Sequence, residues 1–230
     1  MVTIYNDRED VLIPDASNSY STGWRTMGTY FMELLVIGII YAVLSGPMSA
    51  MQLRDGGWEW YMVPLILFGM MYGLFVAGPI GYSTNWVFLK AVRGERVEIK
   101  DMFAVFQLNY WNAVVANVVV TVIVMMGMVM LIVPGIIFAC RLVFVPYLVM
   151  DKQMDVMEAL RVSWNMTRGY GGQIFIMGLM SVFITIGGLI LLVVGVFVSI
   201  MWIKTSFAAM YYAVEQQDGI PEYNYSGESS

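Results

Sequence analysis

The sequence contains no histidine and only one cysteine, Cys140, in 230 residues. Histidine is the side chain that most often serves as general base or metal ligand, so its absence removes the commonest catalytic designs. A single cysteine cannot form an intrachain disulfide, and it cannot supply the several thiolates of a structural zinc site. We therefore predict no catalytic residue, no metal site and no cofactor.

Charged residues are also scarce. They make up 13% of the chain, against about 25% in a typical soluble domain. Hydrophobic residues make up 59%, and the mean hydropathy is +0.71. This composition argues against a soluble globular fold. The net charge of −5 comes mainly from acidic residues near the two ends and in one loop, and nothing in the pattern indicates nucleic-acid binding.

Long apolar runs predict an all-α membrane protein with six transmembrane helices arranged as three hairpins. A bilayer core of about 30 Å is crossed by about 20 apolar residues in a helix. The expected spans are 26–45, 61–89, 113–133, 136–150, 173–194 and 196–213. The second span is longer than the bilayer requires, and we expect it to kink at Gly78-Pro79. Pro134-Gly135 and Gly195 are expected to form the turns of the two later hairpins.

Basic residues in the connecting segments predict the orientation, because Lys and Arg are retained on the cytoplasmic side. One side would carry nine of them and the other Arg54 alone. The nine are Arg8, Arg25, Lys90, Arg93, Arg96, Lys100, Lys152, Arg161 and Arg168. We therefore expect a multi-pass protein of the cytoplasmic (inner) membrane with both termini in the cytoplasm. Trp58, Trp60 and Tyr61 would anchor its outer face.

Short amphipathic segments precede the odd-numbered spans and predict interfacial helices on the cytoplasmic side. Their apolar stripes are Tyr20 and Trp24, then Ile99, Met102, Phe103, Phe106 and Tyr110, then Met157, Leu160 and Trp164. Three units, 17–90, 98–150 and 155–214, are either copies of one repeat or the ordinary outcome of helical spacing in a polytopic protein. The expected organisation is a polar segment 1–16, a membrane domain 17–214 and a mobile tail 215–230.

Five polar residues inside the predicted spans form the candidate intramembrane site: Glu33, Asn85, Asn117, Arg141 and Lys204. An ionised side chain facing lipid at the bilayer centre costs about 2.5–3.5 kcal/mol, so the charged members should face protein or water. An ion pair of Glu33 with Arg141 or Lys204 would fix the helix arrangement. A polar cavity open to the cytoplasm is the other interpretation.

Two further patterns have structural interpretations. Small residues recur at every fourth position in the second span, at Gly69, Gly73, Ala77 and Gly81, which predicts a packing face against another span or a partner chain. The 21 methionines include four in the third span that lie around the helix, which indicates adaptable apolar filling in preference to copper binding.

The segments VPGIIFACRLVFVPYLVMD and MEALRVSWNMTRGYGGQIF resemble a family of small bacterial and archaeal integral membrane proteins of unknown function. They are similar to the membrane domain fused to some glycerophosphoryl diester phosphodiesterases. The clearest positions are Pro134-Gly135, Arg141, Pro146, Ala159, Trp164 and Gly169. The resemblance covers most of 17–214 and implies the membrane fold. It does not include the soluble catalytic domain, so it supplies no reaction, and Lys204 is not among its positions.

These observations lead to three expectations about function. The first is a non-enzymatic membrane scaffold or accessory subunit that binds lipid, another membrane protein or a second copy of itself. The second is a small transporter or permease with a polar cavity around Glu33, Arg141 and Lys204. The third is a membrane enzyme acting on lipid, for which Asp151 and Asp155 would be the paired carboxylates, although helix capping explains them equally well.

Overall fold

The computed structural model describes residues 12–52, 62–190 and 192–219. Within these ranges every regular element is a helix and no strand occurs, which confirms the all-α prediction. The predicted outer anchor, Trp58, Trp60 and Tyr61, lies outside the described residues, as do Arg54, Arg8 and most of the two terminal segments.

The helices follow one another with short connections. They are α1 (Ala16–Thr29), α2 (Phe31–Gln52), α3 (Met62–Tyr72), a π-helical segment (Gly73–Ala77), α4 (Gly78–Val92), a 3₁₀ helix (Ile99–Phe103), α5 (Val105–Leu108), α6 (Tyr110–Met130), α7 (Ile132–Arg141), α8 (Val145–Asp151), α9 (Val156–Met166), α10 (Gly171–Ile190) and α11 (Leu192–Asp218).

Four helical stretches are long and apolar enough to cross a membrane: Tyr110–Met130, Ile132–Asp151, Gly171–Ile190 and Gly195–Gln217. The pair α1 and α2 is a fifth candidate, although its two helices are bent by 96°. The chain is thus a multi-pass membrane protein with four to five candidate spans in the part described, against the six expected.

The bend between α1 and α2 corrects the predicted start of the first span. Residues 26–29 belong to α1, and α2 begins only at Phe31. The indole of Trp202 on α11 holds α1 in place by donating a hydrogen bond to the Tyr20 carbonyl at 2.9 Å and by packing edge-on against Trp24. Apolar content alone does not mark such a bend, because the residues on both sides of it are apolar.

The irregularity near Gly78-Pro79 has a clear local cause. Proline has no N–H, so Pro79 cannot bond the carbonyl four residues earlier, that of Phe75. The chain forms a π-helical segment there, in which the Gly78 N–H donates to the Gly73 carbonyl. The Tyr110 hydroxyl donates to the freed Phe75 carbonyl at 2.9 Å. The irregularity at the predicted kink position is therefore a π segment that ends just before Gly78-Pro79.

The tips of the two later hairpins differ from the prediction. The α6–α7 break falls at Leu131, so Pro134 lies in the first turn of α7, where its missing N–H costs nothing. Gly135 lies inside α7 against Gly127 of α6, since a Cβ on Gly127 would be 2.9 Å from the Gly135 Cα. Gly195 likewise lies within α11 and against Gly188 of α10. These glycines permit close helix contact instead of forming turns.

The amphipathic segments before α6 and α10 are helical, as expected. Their buried residues, however, differ from the predicted apolar stripes. In the 3₁₀ helix and α5, Met102 is buried while Ile99, Phe103 and Phe106 are exposed. On α9 the residues against the core are Val156, Ala159, Val162, Ser163 and Met166. The predicted α9 stripe, Met157, Leu160 and Trp164, instead lines a cavity described below.

Candidate functional site

Lys204 and Asn85 are brought together by α11 and α4. The Lys204 Nζ donates a hydrogen bond to the Asn85 Oδ1 at 2.6 Å and lies 5.0 Å from the centre of the Tyr41 ring on α2. Among the described residues no carboxylate forms an ion pair with Lys204. The lysine is thus held by a neutral amide and an aromatic face.

Asn117 and Glu33 lie elsewhere. The Asn117 side chain packs against Gly78, where a Cβ would be 2.9 Å from the Asn117 Cγ, so it belongs to the contact between α6 and the start of α4. Glu33 is exposed in the first turn of α2, where the helix dipole favours a negative charge. No described cation forms an ion pair with it, so the structure does not join Glu33 to Arg141 or Lys204.

Arg141 ends α7 at a break in the predicted fourth span. Its guanidinium lies 5.5 Å from the centre of the Trp164 ring, and its Nη1 is buried without a hydrogen-bond partner among the described residues. The helix stops here because Pro146, at the start of α8, has no N–H for the carbonyl of Leu142. The Ser163 hydroxyl of α9 donates to the Arg141 carbonyl at 2.8 Å. The Thr167 hydroxyl, just after α9, lies 3.4 Å from the same carbonyl but is closer to the Ser163 carbonyl, at 2.9 Å.

The Ser163 hydroxyl is a structural feature that the sequence pattern did not reveal. A broken helix inside a membrane persists only if other groups bind its freed carbonyls, and Ser and Thr side chains are suited to this. Ser163 supplies such a donor to the carbonyl at the end of α7. Only the fold shows which carbonyl it binds.

One cavity of about 610 Å³ lies between α6, α7 and α9. We call it the α9 cavity. Its apolar wall includes Ile123 of α6 and Phe138 of α7, and all of its charged residues belong to α9 or to the residue that precedes it. Those charged residues are Asp155, Glu158 and Arg161.

A second cavity of about 490 Å³ lies between α7 and α10, and we call it the α10 cavity. Arg141 is the only charged residue in its wall. The other lining residues are Val133, Ile136, Ile137, Cys140, Gly171, Gly172 and Phe175. Neither cavity includes Glu33, Asn85, Asn117 or Lys204, so the five polar residues of the candidate site do not line one shared space in these two cavities.

An ion cluster joins the ends of α4, α8 and α11, and it too was missed. Arg93 donates to both carboxylate oxygens of Asp151, at 2.5 and 2.8 Å, and to Glu215 at 2.6 Å. Lys152 lies 2.7 Å from the other Glu215 oxygen. Burial lowers the pKa of Arg93, but the hydrogen bonds and charges of Asp151 and Glu215 raise it by more, so its guanidinium stays charged.

The predicted packing face of small residues is divided by the π segment. Gly73 and Ala77 lie at its two ends, and the extra residue per turn changes the direction of the face on either side. Gly81 contacts α2, since a Cβ there would be 3.3 Å from the Tyr41 hydroxyl oxygen. Gly69 lies in α3, before the π segment.

Groups of acidic, histidine or cysteine residues that could hold a metal ion are absent from the described residues. Comparison with known proteins finds no matching family model, no matching curated protein and no matching solved structure.

Proposed function

We propose that this protein is a non-enzymatic membrane module that binds lipid, and that the α9 cavity is its principal binding site. The observation that carries the proposal is the mixed character of the cavity wall. Apolar side chains come from α6, α7 and α9, and the charged side chains Asp155, Glu158 and Arg161 come from α9 and the residue that precedes it. A ligand that fits such a wall has an apolar part and a polar part, as membrane lipids do.

The surroundings of the cavity support the same proposal. Trp164 lines it, and aromatic residues with a polar N–H are favoured at membrane interfaces. On the amphipathic segment before α6, Phe103 and Phe106 are exposed, and Trp111 at the start of α6 is 68% exposed. An exposed apolar surface beside amphipathic helices is suited to lie in the headgroup region.

The full topology belongs to the same proposal. Six crossings result if α2 crosses after its bend, if the helix from Met62 to Val92 crosses once, and if the four apolar stretches cross once each. Both termini then lie on one side of the membrane. The basic residues predict that this is the cytoplasmic side of the inner membrane. The resemblance to the membrane domain of glycerophosphoryl diester phosphodiesterases is part of this proposal and agrees with a role without catalysis.

Cysteine labelling tests the topology. In a Cys140→Ala background, a cysteine at the exposed position Gln107 should react with an impermeant maleimide only after the cells are permeabilised. Labelling at this position in intact cells would reverse the proposed orientation.

Native mass spectrometry tests the lipid site by counting the phospholipids retained on detergent-purified protein. Leu160→Trp should fill the α9 cavity and remove one bound lipid. Leu108→Trp is the matched control, because Leu108 is 46% exposed on α5 and does not line the cavity. Equal lipid counts in the two variants would contradict the proposal.

The transporter alternative has one observation in its favour, which is the Lys204–Asn85 pair between α11 and α4. A transport path needs polar groups that share a water-filled space. Because this pair lies outside both cavities described here, a scaffold that binds lipid is the better supported proposal.

A further inference from the structure

Arg141 lines the α10 cavity and has no negative partner among the described residues. The cavity wall contains no acidic residue, and no described carboxylate forms an ion pair with Arg141. Its Nη1 is buried with no acceptor. The Trp164 ring and the carbonyl end of α7 both favour a cation at this place, but neither supplies a hydrogen-bond acceptor to that nitrogen.

The start of α10 adds hydrogen-bond donors to the same cavity. Gly171 and Gly172 begin the helix and line the cavity. The first N–H groups of a helix have no acceptor within it, and they favour an anion. No described backbone carbonyl accepts a hydrogen bond from Gly171 or Gly172. A Cβ on either glycine would have no neighbouring heavy atom within 4 Å, so the space beside these N–H groups is open.

The rest of the cavity is apolar and continues to the exposed surface of the helices. Val133, Ile137 and Arg141 are spaced four residues apart and form one stripe along α7, which extends about 12 Å. Phe175 is four residues beyond Gly171 on α10. Val133, Ile137 and Phe175 are 66%, 48% and 47% exposed. The groove therefore has a cationic end and an apolar end.

From this arrangement we infer that the α10 cavity binds the phosphate of an anionic phospholipid. Arg141 and the N–H groups of Gly171 and Gly172 bind the phosphate oxygens, and an acyl chain lies against Val133, Ile137 and Phe175. The phosphate supplies acceptors to a half-buried arginine whose guanidinium has no acceptor among the described residues, and guanidinium–phosphate contacts are among the stronger hydrogen bonds in proteins. This inference deepens the proposed function by naming the lipid class and a second site.

The experiment is a binding titration of delipidated, detergent-solubilised protein, read by native mass spectrometry. Three probes are compared: phosphatidylglycerol, phosphatidylcholine and inorganic phosphate. The unchanged protein should bind phosphatidylglycerol more tightly than phosphatidylcholine. Arg141→Gln should weaken phosphatidylglycerol binding by about tenfold or more, because the charge-assisted hydrogen bonds to the phosphate are lost.

Two further variants separate binding from folding. Gly172→Leu keeps Arg141 and fills the open space in the cavity, so it should lose the preference for phosphatidylglycerol while the protein stays folded. Arg96→Gln is the matched control, because the Arg96 side chain is 90% exposed and lies outside the cavity. It should bind all three probes as the unchanged protein does.

The outcomes are distinct. Unchanged phosphatidylglycerol affinity in Arg141→Gln would overturn the inference. Full displacement of phosphatidylglycerol by inorganic phosphate would also overturn it, because the ligand would then be a free anion. Loss of the preference in Arg141→Gln, with a normal lipid count in Leu160→Trp, would uphold the inference and contradict the proposed α9 cavity. An unchanged phosphatidylglycerol preference in Arg141→Gln, with one fewer bound lipid in Leu160→Trp, would overturn the inference and uphold the α9 cavity alone.

Discussion

At the scale of single residues, the polar groups inside the helices are paired in a way that charge alone does not suggest. Lys204 binds the Asn85 amide, Arg141 stacks on Trp164, and Glu33 is exposed. The Asn85 amide accepts a hydrogen bond from Lys204, but it is neutral and does not compensate the positive charge. An uncompensated buried charge reduces the stability of the helix bundle, which a role that needs the lysine would explain.

Replacement of Asn85 and Lys204 should therefore have unequal effects. Asn85→Leu leaves the ammonium group without its acceptor and should reduce stability by about 1.5–3 kcal/mol. Lys204→Met removes the charge and keeps most of the volume, so it should be neutral or stabilising. Thermal unfolding in detergent measures both changes.

The double variant is the decisive control for this pair. Asn85→Leu with Lys204→Met should be more stable than the sum of the two single changes predicts, because no charge is stranded. A double variant as unstable as the sum of the two single changes would contradict the coupling. Loss of solute uptake in a stable Lys204→Met protein would favour the transporter alternative.

The sequence identified these residues but not their partners. Arg141 and Lys204 are recognisable because an ionised side chain in an apolar run is rare. Their neighbours depend on how each helix is rotated and on where it breaks, and apolar runs of this kind carry little amphipathic signal for rotation. Arg141 lies at such a break. Its carbonyl accepts a hydrogen bond from Ser163 of α9, and its guanidinium lies against Trp164 of the same helix.

At the scale of helices, irregular backbone is matched by side chains from the neighbouring helix. Tyr110 of α6 binds the carbonyl that Pro79 leaves free, and Ser163 of α9 binds the carbonyl at the end of α7. In a membrane such groups cannot turn to water, so the helix that supplies the donor is fixed relative to the one that it serves. These contacts hold α6 to the π segment and α9 to α7.

Tyr110→Phe should destabilise the protein by about 1 kcal/mol, because the Phe75 carbonyl then has no donor. The cost should fall in a Pro79→Ala background, where residue 79 regains an N–H that can bond the same carbonyl. Equilibrium unfolding of the four proteins in detergent gives the coupling. Equal costs in both backgrounds would show that the tyrosine does not compensate for the proline.

The hairpin glycines lead to a second prediction at this scale. Gly127→Ala should cost about 1–3 kcal/mol, since the added methyl group would meet the Gly135 backbone and force the two helices apart. Gly178→Ala is the matched control, because a Cβ there meets nothing within 4 Å. It should be neutral or slightly stabilising by helix propensity. Similar losses of stability in both variants would contradict a close contact at Gly127.

These glycines also show why turns were harder to predict than helices. Pro134-Gly135 and Gly195 have the composition of turns, and glycine or proline near the end of an apolar run favours that interpretation. In the fold, Pro134 is tolerated in the first turn of α7, while Gly135 and Gly195 are needed where two backbones approach each other. The same residue type serves both purposes, so spacing alone does not distinguish them.

At the scale of the whole molecule, the all-α membrane fold follows from composition and run length, and the described part agrees with it. Element order also follows, because each amphipathic segment precedes a long apolar helix. The cluster of Arg93, Asp151, Lys152 and Glu215 does not follow, since its members are far apart in sequence. In the sequence, Arg93 and Lys152 indicated orientation, Asp151 was a candidate carboxylate beside Asp155, and Glu215 belonged to the tail, whereas the fold joins all four.

The ion cluster of Arg93, Asp151, Lys152 and Glu215 connects the ends of α4, α8 and α11. The Arg93 and Asp151 side chains are only 17% and 7% exposed. Arg93→Met would remove the bidentate partner of Asp151 and leave Lys152 as the one cation of the cluster for two carboxylates, so it should reduce stability by on the order of 3 kcal/mol. Arg96→Met is the matched control, because the Arg96 side chain is 90% exposed and its nearest carboxylate oxygen, on Glu98, is 3.8 Å away. Unfolding in detergent should separate the two variants, and hydrogen exchange should show reduced protection of α8 in Arg93→Met alone. If both variants unfold alike and α8 keeps its protection, the three helix ends are held by apolar packing and the cluster contributes little.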